Sequence, residues 1–399
     1  MPGPAAGSPP RIPRTVWALG LVSLCMDLSS ELVHSLLPLL LVGSLGASML
    51  TVGLIEGLAE ATALLVKVFS GAFSDFIGRR KGLLLLGYGL AALSKPLFPL
   101  AGSTDLVLGA RLLDRVGKGI RGAPRDALIA DVAPAAIRGA CFGLRQSMDT
   151  VGAFFGPILA IGLMLAFAAN ITLVLWFAVL PALAAVALLW IGVSEPLREK
   201  PAKPLRSPIK LRWLGQFSPA YWWVVGIGAV FTLARFSEAF LLLRAQQQGF
   251  AISWVPLVMV AMAAAYMLCA YPAGKWSDRL ERSTLLAAGL LLLIAADLVL
   301  AWADSAALVL LGSALWGLHM GFSQGILAAM VADTTPAELK GSAFGLFNLL
   351  SGIALLLASV GAGWLWQSYG AAMTFQAGAG LAAAALLLLG LRRRRLRAP

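Results

Sequence analysis

Charge is scarce in this sequence. Only 13% of its 399 residues are Asp, Glu, Lys or Arg, whereas 59% are hydrophobic and the mean hydropathy is +0.85. So few charges cannot cover the surface of a water-soluble chain of this size, which excludes a soluble enzyme or binding module. Cysteine is rare as well. Cys25, Cys141 and Cys269 lie in or beside apolar runs, so no disulfide framework is implied. Histidine occurs twice, at His34 and His319, and nothing has the spacing of a metal site, so no metal or cofactor is expected. Acidic residues number 19 against 31 basic ones, for a net charge of +12. That excess does not imply nucleic acid as a partner, because the cations sit in turns between apolar runs.

What the chain does have is apolar length. A membrane-spanning helix needs roughly 20 apolar residues, and about twelve such runs follow one another, from 16–42 to 371–391. The expectation is an all-α polytopic membrane protein: an N-terminal tail 1–15, six spans in 16–193, a Pro- and Lys/Arg-rich linker 194–216, six more spans in 217–391, and a basic tail 392–399. The first run is too long for the core of a signal peptide. Cations gather at Arg11 and Arg14, Arg79 to Lys81, Arg198 to Arg212, Lys275 to Arg282 and Arg392 to Arg397, each after an even number of spans. The loops near Ser44, Ser103, Asn170, Ser305 and Ser368 carry none. The positive-inside asymmetry therefore puts both termini and the linker in the cytoplasm, with the body in the plasma (inner) membrane.

The chain also repeats. The turn Gly71 to Lys81, GAFSDFIGRRK, returns in weaker form as Gly274 to Arg282, and Asp131-Val132-Ala133-Pro134 followed by Arg138-Gly139 is echoed at one constant offset by Asp333-Thr334-Thr335-Pro336 followed by Lys340-Gly341. A duplicated six-span unit packs best as two pseudo-symmetric six-helix bundles with a cavity between them. The G-x-x-x-D-x-x-G-R-R turn and the six-plus-six layout resemble the major facilitator superfamily of secondary transporters over essentially the whole chain. The resemblance implies that Gly71, Asp75, Gly78, Arg79 and Arg80, with Asp278 in the second copy, form a conformational latch. Glu281 stands where the copy's second Gly would be.

Several ionisable residues lie inside the runs, where they are expensive and usually line a cavity or carry protons. Asp27, Glu31 and His34 are spaced i, i+4, i+7 on one face of the first span, and Glu56 and Glu60 share a face of the second with Lys67. The fourth span is the most charged, with Arg111, Arg115 and Lys118 on one face and Asp114 placed to pair with Lys118 or Arg121. A carboxyl that burial and a nearby cation pull in opposite directions can exchange protons as its partners move. Asp27 and Glu31, with Arg115 beside them, are the expected proton-coupling residues. His34, Glu56, Glu60, Arg111, Lys118, Arg145, Asp149, Arg235 and Glu238 are expected around the substrate. Structural ion pairing is the competing reading for the glutamates Glu56 and Glu60 with Lys67 and for Arg235 with Glu238. Asp297 and His319 are isolated polar groups for which interhelical hydrogen bonds are the default.

Arg115-Val116-Gly117-Lys118-Gly119 resembles the superfamily's R-x-x-Q-G motif, whose Arg is associated with proton transfer. In the fifth span Gly143, Gly152, Gly156 and Pro157 match G-x8-G-x3-G-P, which in that family marks antiporters; plain glycine-mediated helix packing would also produce it. The expectation is a secondary transporter moving a small-molecule substrate across the bilayer by alternating access, in proton-coupled export. The alternative is proton-coupled uptake of an organic anion held by Arg111, Arg115 and Arg235. No nucleophile–base pair or phosphate loop in the sequence supports an enzyme.

Overall fold

The computed structural model describes residues 11–77, 79–195, 211–277, 279–336 and 339–397. These residues form α-helices joined by short turns, and no strand occurs among them. The first half comprises α1 (Arg14–Leu39, continued by a π-helical turn Leu40–Ser44), α2 (Met49–Ile77), α3 (Lys81–Ser94), α4 (Thr104–Val132), α5 (Arg138–Ala166), and the short α6 (Ile171–Trp176) leading into α7 (Val179–Gly192). The second comprises α8 (Pro219–Ala234) and α9 (Ala239–Gln247), then α10 (Leu257–Ser277), α11 (Arg282–Ala301), α12 (Ala306–Asp333), α13 (Lys340–Tyr369) and α14 (Ala371–Arg397). Most of the expected linker, 196–210, lies outside the described residues.

Local chemistry sets the helix ends. Ser103 caps α4 by accepting from the Leu106 N–H, Asn170 does the same for α6 through Leu173, and Ser218 precedes Pro219 at the start of α8. The start of α3 is capped from a distance, by a Glu195 carboxylate that accepts from the N–H groups of Arg80 and Lys81. Gly370, at φ +89°, ends α13 in a conformation that glycine adopts without strain and lets the chain turn into α14.

Among the described residues, ten helical segments are long and apolar enough to cross a membrane. Two more stand in the same bundle without meeting that criterion: α3 has 14 residues, and α4 carries the seven charges from Arg111 to Asp126. Twelve spans are compatible with this arrangement. Burial follows the logic of a bilayer, with Trp190, Ile191, Leu268 and Leu387 on the outer surface and Arg111, Lys95, Asp114 and Glu56 enclosed.

In the first half α1 packs on α5 and α7, and α4 on α2 and α3; in the second α12 packs on α10 and α11, and α14 on α8 and α11. The halves meet where α2 packs on α13, α5 on α10 and α1 on α9. The α2–α13 seam is made by glycine. A Cβ on Gly53 would run into the Ser359 carbonyl, one on Gly363 into the Met49 carbonyl, and one on Gly57 would sit 3.1 Å from the Leu356 carbonyl oxygen. Backbones this close are held by dispersion over their whole length of contact.

Candidate functional site

Five of the seven α4 charges from Arg111 to Asp126 have an ion-pair partner, Lys118 and Arg121 being the others. Arg111 lays two hydrogen bonds on Glu56, Nε to Oε1 at 3.1 Å and a terminal nitrogen to Oε2 at 2.7 Å, with both side chains 1% exposed. Lys95 donates to Asp114 at 2.8 Å and to Ser30 at 3.1 Å, while Arg115 reaches Glu60 at 3.1 Å and Asp114 at 3.7 Å. The partners are therefore on other helices in most cases. Asp114 pairs with Lys95 of the segment after α3 and with Arg115, rather than with Lys118 or Arg121, and Glu56 and Glu60 pair with Arg111 and Arg115 rather than with Lys67. Arg121 instead stacks over the Tyr88 ring at 4.6 Å. A cation inside a bilayer is costly unless it is paired, stacked on a ring or faces a cavity.

His34 continues the chain, with Nδ1 3.4 Å from Glu31 and Nε2 3.7 Å from Glu56. These groups open onto a cavity between the halves that has two compartments sharing Glu31 and Glu238. One, of about 250 Å³, is lined by His34, Glu56, Glu60, Arg115, Lys118 and Arg235 among others. The other, of about 220 Å³, mixes Asp27, Asp149 and Gln146 from the first half with Met259, Met262, Tyr266 and Met320 from the second.

Asp27 of α1 and Asp149 of α5 line the same compartment on two helices that pack against each other. Two carboxyl groups facing one enclosed space repel each other when both are ionised. Arg145 faces the same Asp149 at 3.1 Å and Arg125 at 3.9 Å, and Arg145 also donates to Gln146. Arg235 stands at the break between α8 and α9, its buried Nε without a hydrogen-bond partner. In that break Ser237 takes up freed backbone groups: its N–H donates to Ser359 Oγ at 3.2 Å, and its hydroxyl accepts from the Ala239 N–H and donates to Glu56.

Away from the cavity, the turn after α2 brings Arg80, rather than Arg79, to Asp75 at 3.8 Å and to Asp131 of α4 at 2.8 Å. Gly71 lies in ordinary contact with Ala123, and Gly78 and Asp278 are outside the described residues. Of the α5 glycines, Gly152 and Gly156 lie against α1, where an added Cβ would sit 2.5 Å from the Leu24 carbonyl oxygen and 2.7 Å from Glu31 Cβ; Pro157 follows within the helix, and Gly143 faces open space. Sequence reasoning missed Lys95, although a lone cation just before Pro96 in an apolar run was the signal for it. It also missed the methionines and Tyr266, which composition does not separate from packing residues.

The sequence profile of the Major Facilitator Superfamily matches residues 19–261 and 239–399. An uncharacterised MFS-type transporter of Methanocaldococcus jannaschii is 32% identical over 386 residues, 94% of each chain. Among solved structures, a POT family transporter in complex with 5-aminolevulinic acid aligns with a TM-score of 0.81 at 12% identity over 97% of both chains. The human organic anion transporter MFSD10 (TETRAN) aligns at 0.65 and 20% identity, over 96% of this chain and all of the other. At those identities the solved structures speak for the fold.

Proposed function

The chain belongs to the major facilitator superfamily and is an integral membrane transporter rather than an enzyme; from that premise we propose that it exports a small molecule in exchange for protons by alternating access. The observation that carries this reading is that four carboxyls, Asp27, Glu31, Asp149 and Glu238, line one compartment of the cavity between the halves, beside Met259, Met262, Met320 and Tyr266. So many carboxylates in one enclosed space repel one another unless a proton or a cation enters among them, so a proton and a cationic substrate compete for the same place. Competition for one site is the simplest form of antiport.

The glycine contacts of α5 on α1 support the same reading, because they fix Asp27 and Asp149 on facing helices. Both termini and the linker are cytoplasmic on this reading, with Asp75, Arg80 and Asp131 as the latch at the cytoplasmic ends of α2 to α4. The test is a flux screen on proteoliposomes, with a lipophilic cation such as tetraphenylphosphonium, an organic anion and a neutral amphiphile, each with and without a pH gradient. Cation movement against its gradient, with counterflow of protons, is expected. Movement of the anion alone would favour the second reading, uptake of an organic anion. One feature favours that alternative: the free Nε of Arg235 in the cavity wall. Against it, Arg111 and Arg115 are already occupied by carboxylates.

A further inference from the structure

Behind the second-half wall of the cavity lies a group of polar side chains with no partners. Asp297 of α11 is 0% exposed and neither carboxyl oxygen makes a hydrogen bond; His319 of α12 is 0% exposed with both ring nitrogens unpaired; and the Trp316 Nε1, one turn earlier on α12, is unpaired at 1% exposure. The interhelical hydrogen bonds expected for Asp297 and His319 are not formed. These groups are linked through one residue, Phe236. Its ring stacks within 5.4 Å of Trp316, which in turn lies 5.4 Å from His319, and it packs on Phe240 and Phe375 as well. A Cβ built on Gly378 of α14 would lie 2.7 Å from Asp297 Oδ2 and 3.0 Å from Phe236 Cε1, so the carboxyl and the ring converge on one glycine that makes room for both.

Phe236 also lines the charged compartment of the cavity, between Arg235 and Ser237 in the break of α8 and α9. It therefore lines the cavity while its ring edge also reaches Gly378, where the Asp297 carboxyl lies. An ionised carboxylate without a partner in such surroundings is far more costly than the neutral acid. The charged and titratable groups on the elements packed around it do not change this. α12 offers His319 and α14 offers none within 371–391. At the break stand Arg235 and Glu238, on the cavity side of Phe236. Arg244 of α9 is spent on the carbonyls of Leu300, Ala301 and Ala303, Lys275 ends α10, and the Arg282–Asp333 pair is at the opposite end of α11.

We propose that Asp297 is a second proton-binding site, separate from the Asp27–Asp149 pair, closed from the cavity by the Phe236 ring and opened when the α8–α9 break rearranges. In the closed state the carboxyl holds its proton. When the ring swings aside, the O–H bond breaks, the proton passes to cavity water and the carboxylate remains, facing Arg235. The break, held by Ser237, is the hinge for that movement, since irregular backbone inside a membrane is tolerated where it borders a cavity.

The test is infrared spectroscopy of the full chain in lipid nanodiscs, read at the carbonyl stretch of a carboxylic acid that makes no hydrogen bond. Wild type should show this band at neutral pH and keep it at alkaline pH, Asp297→Asn should lose it, and Asp27→Asn should retain it. Phe236→Ala should lose the band as the pH is raised, because water then reaches the acid. Should Asp297→Asn not fold, Asp297→Glu, which keeps the acid and displaces its band, serves in its place. A wild-type spectrum without the band, or a band unmoved by either Asp297 substitution, would overturn the proton site. A Phe236→Ala titration identical to wild type would overturn the gate.

Discussion

Arg80 meets Asp131 at 2.8 Å, and the same pairing recurs in the second half between Arg282 and Asp333, the residues at the equivalent places of the repeat. Each joins the start of one span to the end of the next. The two differ in solvation: Arg80 and Asp131 are 5% and 34% exposed, whereas Arg282 and Asp333 are 36% and 54% exposed. An exposed pair contributes about 0–1 kcal/mol, and one with a buried partner contributes more.

The latch should therefore be lopsided. Arg80→Gln is expected to slow transport strongly and to shift the conformational population by tenfold or more, since about 1.4 kcal/mol already suffices for that. Arg282→Gln and Arg79→Gln should each change it by about threefold or less. Reactivity of single cysteines at the ends of α2 and α13 towards an impermeant thiol reagent measures the shift. Equal effects of Arg80→Gln and Arg282→Gln would remove the distinction.

The α2–α13 seam should not accept a methyl group. Gly53→Ala and Gly363→Ala place a Cβ against a backbone carbonyl that no rotamer change can move, so the halves must part at that end. Cross-linking between cysteines at Leu50 and Gln367, whose backbone N–H and side chain meet at 3.4 Å, should fall in both variants, while Gly139→Ala, at a glycine with nothing around it, should leave it unchanged.

The Arg111–Glu56 pair should behave as a buried unit. Arg111→Gln or Glu56→Gln alone leaves an uncompensated charge and should lower stability in detergent by about 3–5 kcal/mol. The double substitution should recover much of that loss. A thermal-unfolding cycle on the four proteins measures the coupling, and additive losses would mean that the two side chains are stabilised by other neighbours.

Tags at residue 205 and at the C-terminus should be reached only after the membrane is permeabilised, and a cysteine at Ser305 should be labelled in intact cells. Outside labelling of the 205 tag would reverse the topology.

The spans and the repeat were legible because a bilayer admits only long apolar helices and leaves their charges in the turns. The charged faces of α1, α2 and α4 were legible for the same reason. Who pairs with whom was not. Helical spacing predicts neighbours on one helix, and by that rule Asp114 faces Lys118; inside the bundle any helix can supply the partner, and Lys95 does. Arg79 and Arg80 are equivalent in a motif, and only the path of the turn selects Arg80 for Asp75 and Asp131. Asp149 read as one of several cavity polar groups because its proximity to Asp27 depends on Gly152 and Gly156 letting α5 close onto α1.

The exchange of a proton for substrate at the Asp27–Asp149 pair is tested most directly by reconstituting wild type, Asp27→Asn and Glu31→Gln and measuring two modes on each: accumulation of a transported lipophilic cation driven by a pH gradient, and its downhill exchange without one. Asp27→Asn is predicted to abolish accumulation and to retain downhill exchange, since the amide keeps the size and polarity of the side chain but can no longer take up and give up a proton. Accumulation by Asp27→Asn at the wild-type rate and extent would contradict the account.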